Sequence, residues 1–190
     1  MKAISVIKIG GSLMSYPEEL KQLCGEIERL SANHQMIIIP GGGHFADQIR
    51  RIDRGYHFKP STSHKMAILA MDQYGLYLSE LLPTAKKVQS LSAAKRAGYA
   101  ILLPSQLLFK VSEKELPHSW DVTSDSIACY IATRAKAEKL VLVKVVDGVF
   151  DAESKKLLRE VRAAEFRHRR ENLFDRIMPD LLIKYKLDCY

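Results

Sequence analysis

The chain has 190 residues, of which 47% are hydrophobic and 27% charged, and this is the composition of an ordinary globular protein with one core. It contains no apolar run of about 18 residues, so no membrane span or membrane partner is predicted. The formal net charge of +7 fits a solvated basic face or an anionic small-molecule substrate. The aromatic interleaving of a single-strand platform is missing, so we expect no nucleic-acid partner.

The predicted elements begin with two copies of one pattern: a buried strand, a glycine turn and a helix. This pattern is typical of a parallel sheet with crossover helices and predicts an α/β fold. The first copy consists of strand Ala3–Ile9, turn Gly10-Gly11-Ser12 and helix Pro17–Leu30, and the second of strand Gln35–Pro40, turn Gly41–Gly43 and helix His44–Arg54.

A long helical stretch follows at Thr62–Leu82, and because it is apolar on most faces it is either a core helix or a subunit contact. The remaining elements belong to the same predicted domain, which spans residues 1–190. Its predicted strands are Lys86–Leu91, Ala100–Leu103 and Lys139–Val146, its helices Ser92–Ala97, Asp121–Ala137, Leu157–Phe166 and Leu173–Tyr185, and its loops or hairpins Leu107–Lys110 and Val149–Lys156.

Three glycine turns end three predicted strands: Gly10-Gly11, Gly41–Gly43 and Asp147-Gly148. Turns use glycine for steric reasons alone, but three at the same predicted sheet edge indicate a ligand site, because open α/β sheets bind ligands there. Exposed N–H groups at such turns favour phosphate. Neither GxxxxGK[ST] nor GxGxxG occurs, so the Walker loop and the dinucleotide fingerprint are both absent.

Two lysines interrupt apolar strands, Lys8 in the first and Lys144 in the strongest. A lysine in this setting either extends to the surface or pairs with an anion, because burying an unpaired ammonium is costly. Lys8 stands just before the glycines and is our candidate phosphate-neutralising residue. Lys144 would supply a second cation, which suits phosphoryl transfer.

Polar residues gather at the start of the helix after Trp120. Asp121, Thr123, Ser124 and Asp125 are explained by helix capping in part, and they are also candidates to hold the catalytic lysine and to contact a substrate. His44 and His64 are candidate substrate contacts or ordinary surface and capping residues. No zinc spacing of His or Cys accompanies them, so no protein-only metal site is predicted. The three scattered cysteines favour reduced thiols in the cytoplasm.

Taken in order, KIGGS, PGGGHFAD, WDVTSDSIA and VDGVF resemble the amino acid kinase family over Lys2–Asp151. The resemblance implies a three-layer α/β/α sandwich with a mainly parallel central sheet, and ATP- and Mg²⁺-dependent phosphorylation of a small substrate. By motif match, it implies that Lys8, Gly10, Gly11 and Ser12 hold the transferring phosphates, that Gly41, Gly42 and Gly43 line the acceptor side, that Asp125 orients the lysines, and that Asp147, Gly148 and Phe150 lie on the nucleotide side.

Within that family, Ser63–Gly75 and the HSWDVTSDSIA segment resemble the small archaeal and methylotroph branch. The branch implies a kinase that converts 5-(aminomethyl)furan-3-methanol phosphate to its diphosphate in methanofuran-type cofactor biosynthesis. Phosphorylation of UMP, isopentenyl phosphate, a carboxylate or carbamate is the alternative reaction. A non-catalytic nucleotide- or anion-binding protein is the alternative from another class.

Two departures from the family pattern bear on the mechanism. Lys144 stands where the T-x-VDGVY signature has Thr, and the late Gly-Gly-Met…Lys segment with a second catalytic lysine has no counterpart before the chain stops at Tyr190. Either Lys144 or a basic group of the substrate replaces that lysine, or phosphoryl transfer is impaired. The apolar long helix further suggests a homo-oligomer, a dimer or higher.

Overall fold

The computed structural model describes residues 3–151, 154–168 and 173–190 and contains a five-stranded parallel sheet. Its order is β3-β4-β2-β1-β5, so β1 and β2 are central strands, each hydrogen-bonded to a neighbouring strand on both sides. Residues 188–190 pair with the outer edge of β5, where the Tyr190 N–H donates to the Leu140 carbonyl at 2.8 Å. The strands are β1 (Ile4–Ile9), β2 (Gln35–Pro40), β3 (Lys86–Val88), β4 (Tyr99–Leu102) and β5 (Lys139–Val143).

Helices connect these strands, as parallel pairing requires. Two of them begin with a side-chain cap, since Ser90 accepts from the Ala93 N–H and Thr123 from the Asp125 N–H. None of the helices in the described ranges is long and apolar enough to cross a membrane. They are α1 (Pro17–Ser31), α2 (Gly43–Tyr56), α3 (Pro60–Leu81), α4 (Leu91–Ala97), α5 (Ser105–Leu108), α6 (Ser124–Ala135) and α7 (Met178–Tyr185).

The sheet separates two hydrophobic cores, because successive residues of a strand point to opposite faces. On β1, Val6 packs into the core formed with α4, α6 and α7, and Ile7 and Ile9 pack into the core formed with α1. The long helix α3 contributes to both cores, with Ile68 on one side and Tyr74 on the other. The predicted α/β/α sandwich is therefore confirmed, and Lys8 shares the face of Val6, toward α6.

The first two glycine turns touch each other. A Cβ on Gly11 would lie 2.0 Å from the backbone nitrogen of Gly43, and a Cβ on Gly41 would lie 2.5 Å from the nitrogen of Gly11. Gly43 also has a positive φ of 55°, which disfavours residues with a side chain. The close backbone contact between the two turns therefore explains why these positions are glycine. The same contact places both turns side by side at one edge of the sheet.

Gly11→Ala is expected to destabilise the fold by about 2 kcal/mol or more, because backbone atoms rather than a flexible side chain must move. Gly25→Ala is the matched control, since Gly25 lies exposed in α1 with nothing near its missing Cβ. That change is expected to stabilise by up to about 1 kcal/mol. Urea unfolding midpoints test both, and equal midpoints for the two variants would contradict the contact.

Two predictions of secondary structure were wrong, one in extent and one in type. The strand predicted over Lys139–Val146 ends at Val143, whose carbonyl accepts from the Gly10 N–H as β1 turns away. Lys144 therefore follows the strand and does not lie inside it. The helix predicted over Leu157–Phe166 is absent, because Leu157–Leu158 forms β7, which pairs antiparallel with β6 (Val149–Phe150), and Ala163–His168 is a 3₁₀ turn.

Smaller differences concern the ends of elements. The last helix begins at Met178 rather than Leu173, where the Asp175 carboxylate accepts from the Met178 N–H at 3.0 Å and Pro179 occupies the first turn. The predicted loop Leu107–Lys110 overlaps the end of α5. The hairpin alternative for Val149–Lys156 is supported, since the Asp151 N–H donates to the Lys156 carbonyl between β6 and β7.

Candidate active site

Lys8 is buried near the end of β1, only 4% exposed. In the sheet it lies between Ile39 of β2 and Leu142 of β5, so no neighbouring strand offers it a charge. Its ammonium instead lies 2.7 Å from Oδ1 of Asp125, in the first turn of α6. The structure therefore supports the reading in which Lys8 pairs with an anion, and not the one in which it extends to the surface.

Lys144 contacts the same carboxylate. Its Nζ lies 2.5 Å from Oδ2 of Asp125 and also donates to the Leu173 carbonyl. Two ammonium groups and one carboxylate leave one net positive charge in a buried place. A site with that charge attracts an anion, and phosphate oxygens are the anions that lysines and N–H groups bind together.

The pKa values of the pair reflect burial and charge together. Burial is the largest influence on Lys8 and lowers its pKa, and repulsion from Lys144 adds to this effect against the attraction of Asp125. Burial alone would raise the pKa of Asp125, but the charges and hydrogen bonds of Lys8 and Lys144 outweigh it and the pKa is lowered. Asp125 is therefore held as a carboxylate between the two lysines.

Asp175 fixes the start of α6 and was missed in the sequence analysis. Its Oδ2 accepts from the backbone N–H of Thr123 at 2.7 Å and of Ser126 at 2.9 Å, and its carboxylate also accepts from both of their hydroxyls. The same side chain accepts from Met178 at the start of α7. It therefore joins two helix starts next to Asp125. A sequence separation of about 50 residues leaves no local pattern that could reveal this.

Beside Lys8 a cavity of about 270 Å³ opens between the glycine turns and helices α2, α3 and α6. Its polar walls include Lys8 and Asp125, and its apolar wall is formed by Ala67, Ile68 and Met71 of α3. The start of α2 at Gly43 also lies on the cavity, and helix starts present N–H groups without helical partners. A polar floor and an apolar side wall suit a small molecule with a charged end.

The structure brings nine of the predicted site residues to this cavity, namely Lys8, Gly11, Ser12, Gly42, Gly43, His64, Thr123, Ser124 and Asp125. Eight others do not line it, namely Gly10, Gly41, His44, Asp121, Lys144, Asp147, Gly148 and Phe150. Gly10 and Gly41 are backbone neighbours of lining residues, and Lys144 reaches the site through Asp125.

The remaining residues of that second group do not line the cavity, although His44 and Asp121 adjoin lining residues in the chain. His44 is exposed and its Nε2 lies 3.1 Å from Oγ of Ser15, and Asp121 is exposed. Asp147 and Phe150 are exposed in the segment that leads from β5 into β6. In the described ranges no group of three His, Cys, Asp or Glu side chains could hold a metal ion.

Arg50 and Trp120 are two further residues on the cavity that the sequence analysis did not single out. The guanidinium of Arg50 lies 4.6 Å from the centre of the Trp120 ring and 3.1 Å from Oδ1 of Asp47. The indole N–H of Trp120 donates to Asp53 at 2.7 Å. Arg50 comes seven residues after Gly43, two helical turns along α2, and this spacing is a signal that the sequence does contain.

His64 lines the wall of the cavity and stacks on His118, with ring centres 4.5 Å apart. Nδ1 of His118 lies 2.9 Å from a carboxylate oxygen of Glu113. Burial, and then the charge of His118, lowers the pKa of His64 to about 4. His64 is therefore a neutral imidazole at physiological pH.

The folded state binds the His64 proton less well than the unfolded state does. The contribution of the neutral imidazole to the free energy of unfolding is therefore complete above pH 6.5 and falls as the pH drops toward 4. We expect this histidine to account for up to roughly 2 kcal/mol of the stability lost between pH 7 and pH 4.5. Urea unfolding at both pH values tests this against His64→Phe, which retains a ring for the stack. A loss of the same size in the variant would assign the pH dependence to other groups.

Comparison with known proteins gives four findings. The profile of the amino acid kinase family matches residues 3–176. The chain is 34% identical over 190 residues to the [5-(aminomethyl)furan-3-yl]methyl phosphate kinase of Methanocaldococcus jannaschii, covering 97% of this chain and 85% of that protein. It is 24% identical over 162 residues to the uridylate kinase of Thermococcus sibiricus, and the match covers 80% of this chain and 66% of that protein. Among solved structures, uridylate kinase from Archaeoglobus fulgidus has a TM-score of 0.71 at 18% identity, covering 100% of this chain and 89% of that one.

Proposed function

The chain belongs to the amino acid kinase family, and from this premise we propose that it is an ATP-dependent kinase of a small phosphomonoester, [5-(aminomethyl)furan-3-yl]methyl phosphate. The product would be the diphosphate, as the methanofuran-type branch implies. The observation that carries the proposal is the buried Lys8–Asp125–Lys144 trio, because its net positive charge lies where a cavity meets two glycine turns.

The cavity residues divide into those that touch the reacting groups and those that position them. Lys8 and the N–H groups of Gly11, Ser12 and Gly43 would stabilise charge on the oxygens of the transferring phosphoryl group. Asp125 would hold the Lys8 ammonium at the cavity floor. Lys144 does not line the cavity, so we propose that it replaces the family's second lysine indirectly, by fixing Asp125.

The acceptor would lie in the cavity between α2, α3 and α6. Its phosphate would face Lys8, with Arg50 as a second cation, and its ring would pack on Ile68 and Met71. A phosphate acceptor is already an anion at neutral pH, so it needs no general base to lose a proton.

We place the nucleotide on the side of Asp147, Gly148 and Phe150, beyond β5, and its phosphates at Lys8 and the first glycine turn. The described residues offer no cluster of three carboxylate or histidine ligands, so the magnesium ion would be bound mainly by phosphate oxygens. When bound, Mg²⁺ neutralises charge on the phosphates.

UMP is the second candidate acceptor. The 24% identity to the uridylate kinase of Thermococcus sibiricus favours it. Isopentenyl phosphate and carboxylate or carbamate acceptors remain as more distant reactions within the family. The alternative from another class is a non-catalytic protein that binds nucleotide and does not consume it.

Release of ADP from ATP–Mg²⁺ tests the proposal directly. The purified protein would be assayed with [5-(aminomethyl)furan-3-yl]methyl phosphate and, in parallel, with UMP, isopentenyl phosphate, carbamate and acetylglutamate. Turnover with the aminomethylfuran phosphate alone supports the proposed reaction. Turnover with UMP alone would move the protein to the second candidate, and nucleotide binding without turnover on any acceptor would establish the non-catalytic alternative.

We further propose that the kinase works in the cytoplasm as a homo-oligomer. The three cysteines are free thiols, in keeping with a reducing compartment. On α3, Leu69 is 44% and Leu76 51% exposed, and their seven-residue spacing places both on one face. Analytical ultracentrifugation of the wild type and of a Leu69→Glu/Leu76→Glu variant would test whether this face joins subunits.

A further inference from the structure

A second, smaller cavity of about 160 Å³ adjoins the proposed acceptor site. His64 and Trp120 line both cavities, so a molecule in the first could extend a small group into the second. The other residues that matter here are Asp53 and Phe58, from the segment that ends α2, and Ser63 from the first turn of α3. The space suffices for a group of a few heavy atoms, such as an aminomethyl arm.

The charge of this second cavity is negative, opposite to that of the Lys8 site. Asp53 accepts from the Trp120 indole N–H at 2.7 Å and from the Phe58 backbone N–H at 3.1 Å, and among the described residues no lysine or arginine forms an ion pair with it. Each carboxylate oxygen has a further lone pair available. The hydrogen bond from Trp120 is the largest influence on the pKa of Asp53 and lowers it, and the nearby Ser63 hydroxyl lowers it further, so the carboxylate is charged at neutral pH.

Uncharged hydrogen-bond acceptors complete the walls of the second cavity. The Ser63 hydroxyl is buried, with its residue 2% exposed, and it lacks a well-aligned hydrogen-bond partner. The neutral imidazole of His64 has one ring nitrogen that can accept. An aromatic ring, a free carboxylate and neutral oxygen or nitrogen acceptors form an environment that favours an ammonium group over an anion or a methyl group.

We propose that this second cavity binds a primary ammonium group of the acceptor, with Asp53 as counter-ion and Ser63 and His64 as hydrogen-bond acceptors. The inference rests on the proposed function and adds to it the residues that select an amino-bearing phosphomonoester. Arg50 and Asp53 lie three residues apart on α2, so one helix presents a cation toward the phosphate end and an anion toward the ammonium end. UMP has no ammonium group to fill this cavity.

The test compares two acceptors that differ by one nitrogen, [5-(aminomethyl)furan-3-yl]methyl phosphate and (5-methylfuran-3-yl)methyl phosphate. We expect the wild type to favour the amine by about 30-fold or more in kcat/KM, because the methyl compound leaves the carboxylate unpaired. Asp53→Asn is expected to reduce that ratio about tenfold, and Ser63→Ala to reduce it by a few-fold. The ratio is independent of the folded fraction, since both acceptors are assayed on the same protein.

Glu19→Gln serves as the control, because it removes one negative charge from α1 on the other side of the sheet and should leave the ratio unchanged. Equal kcat/KM for the two acceptors in the wild type would overturn the ammonium site while leaving the kinase intact. An unchanged ratio in both Asp53→Asn and Ser63→Ala would overturn the assignment to this cavity. Absence of turnover with either acceptor would reject the proposed function and this inference with it.

Discussion

Lys8→Met is expected to lower kcat for ADP release by about 10³-fold while the protein stays folded. Among the described residues, Lys8 supplies the only ammonium group that lines the cavity floor, and methionine retains most of the side-chain volume. The substitution also leaves Asp125 and Lys144 as a balanced pair, so no buried charge loses its partner. We therefore expect the free energy of unfolding to change by less than about 1.5 kcal/mol. The measurements are kcat with saturating acceptor and urea unfolding.

Lys144→Met is the matched control, because it makes the same chemical change in the other lysine. It leaves the Lys8–Asp125 pair intact and alters no residue that lines the cavity. The expected loss of kcat is roughly tenfold, through a less well-positioned Asp125. A kcat for Lys8→Met within a few-fold of the wild type would remove Lys8 from the mechanism. Equal large losses in both variants would show that Lys144 acts directly on the phosphoryl group.

The sheet and the edge at which the candidate site lies could be predicted from the sequence because their signals are local. Ile4–Ile9 and Gln35–Pro40 are short β-branched runs, each followed by glycines and then by a helix, and the structure places both as neighbouring central strands. The alternation of side chains along β1 also explains why Lys8 faces α6 rather than α1. Asp125 was identifiable for the same reason, since it stands in the first turn of a helix at that edge.

What the sequence could not supply are contacts between distant segments. Asp175 reaches Thr123 across 52 residues, and Trp120 reaches Asp53 across 67. Such pairs depend on how helices dock, and no local spacing records that. Leu157 illustrates the opposite error, because its helical pattern was overridden when it paired with Phe150 in a short antiparallel ribbon. The residues that we propose to select the acceptor, among them Asp53 and Trp120, belong to these long-range contacts, so the proposed substrate preference depends on the tertiary structure.

Asp125→Asn is expected to lower both the activity and the free energy of unfolding. The loss of stability distinguishes Asp125 from a residue that only caps a helix. The variant leaves two ammonium groups facing each other with no carboxylate between them. Removing one partner from a buried ion pair costs about 3–5 kcal/mol. An Asn is itself a good capping residue, and Thr123 provides the side-chain cap of α6, so a purely capping role predicts almost no change.

The pH dependence and a second substitution test this explanation. In Asp125→Asn, Lys8 binds its proton less well in the folded state than in the unfolded one, so stability should rise as the pH increases from 7 toward the ordinary lysine pKa of 10.5. The double variant Asp125→Asn/Lys8→Met also removes the more buried ammonium, and it should recover most of the stability and none of the activity. The remaining ammonium of Lys144 has partial solvent access and still donates to the Leu173 carbonyl, so it does not need Asp125 as a partner. If urea unfolding finds the single variant as stable as the wild type at pH 7, the buried trio does not carry the charges that we assign to it.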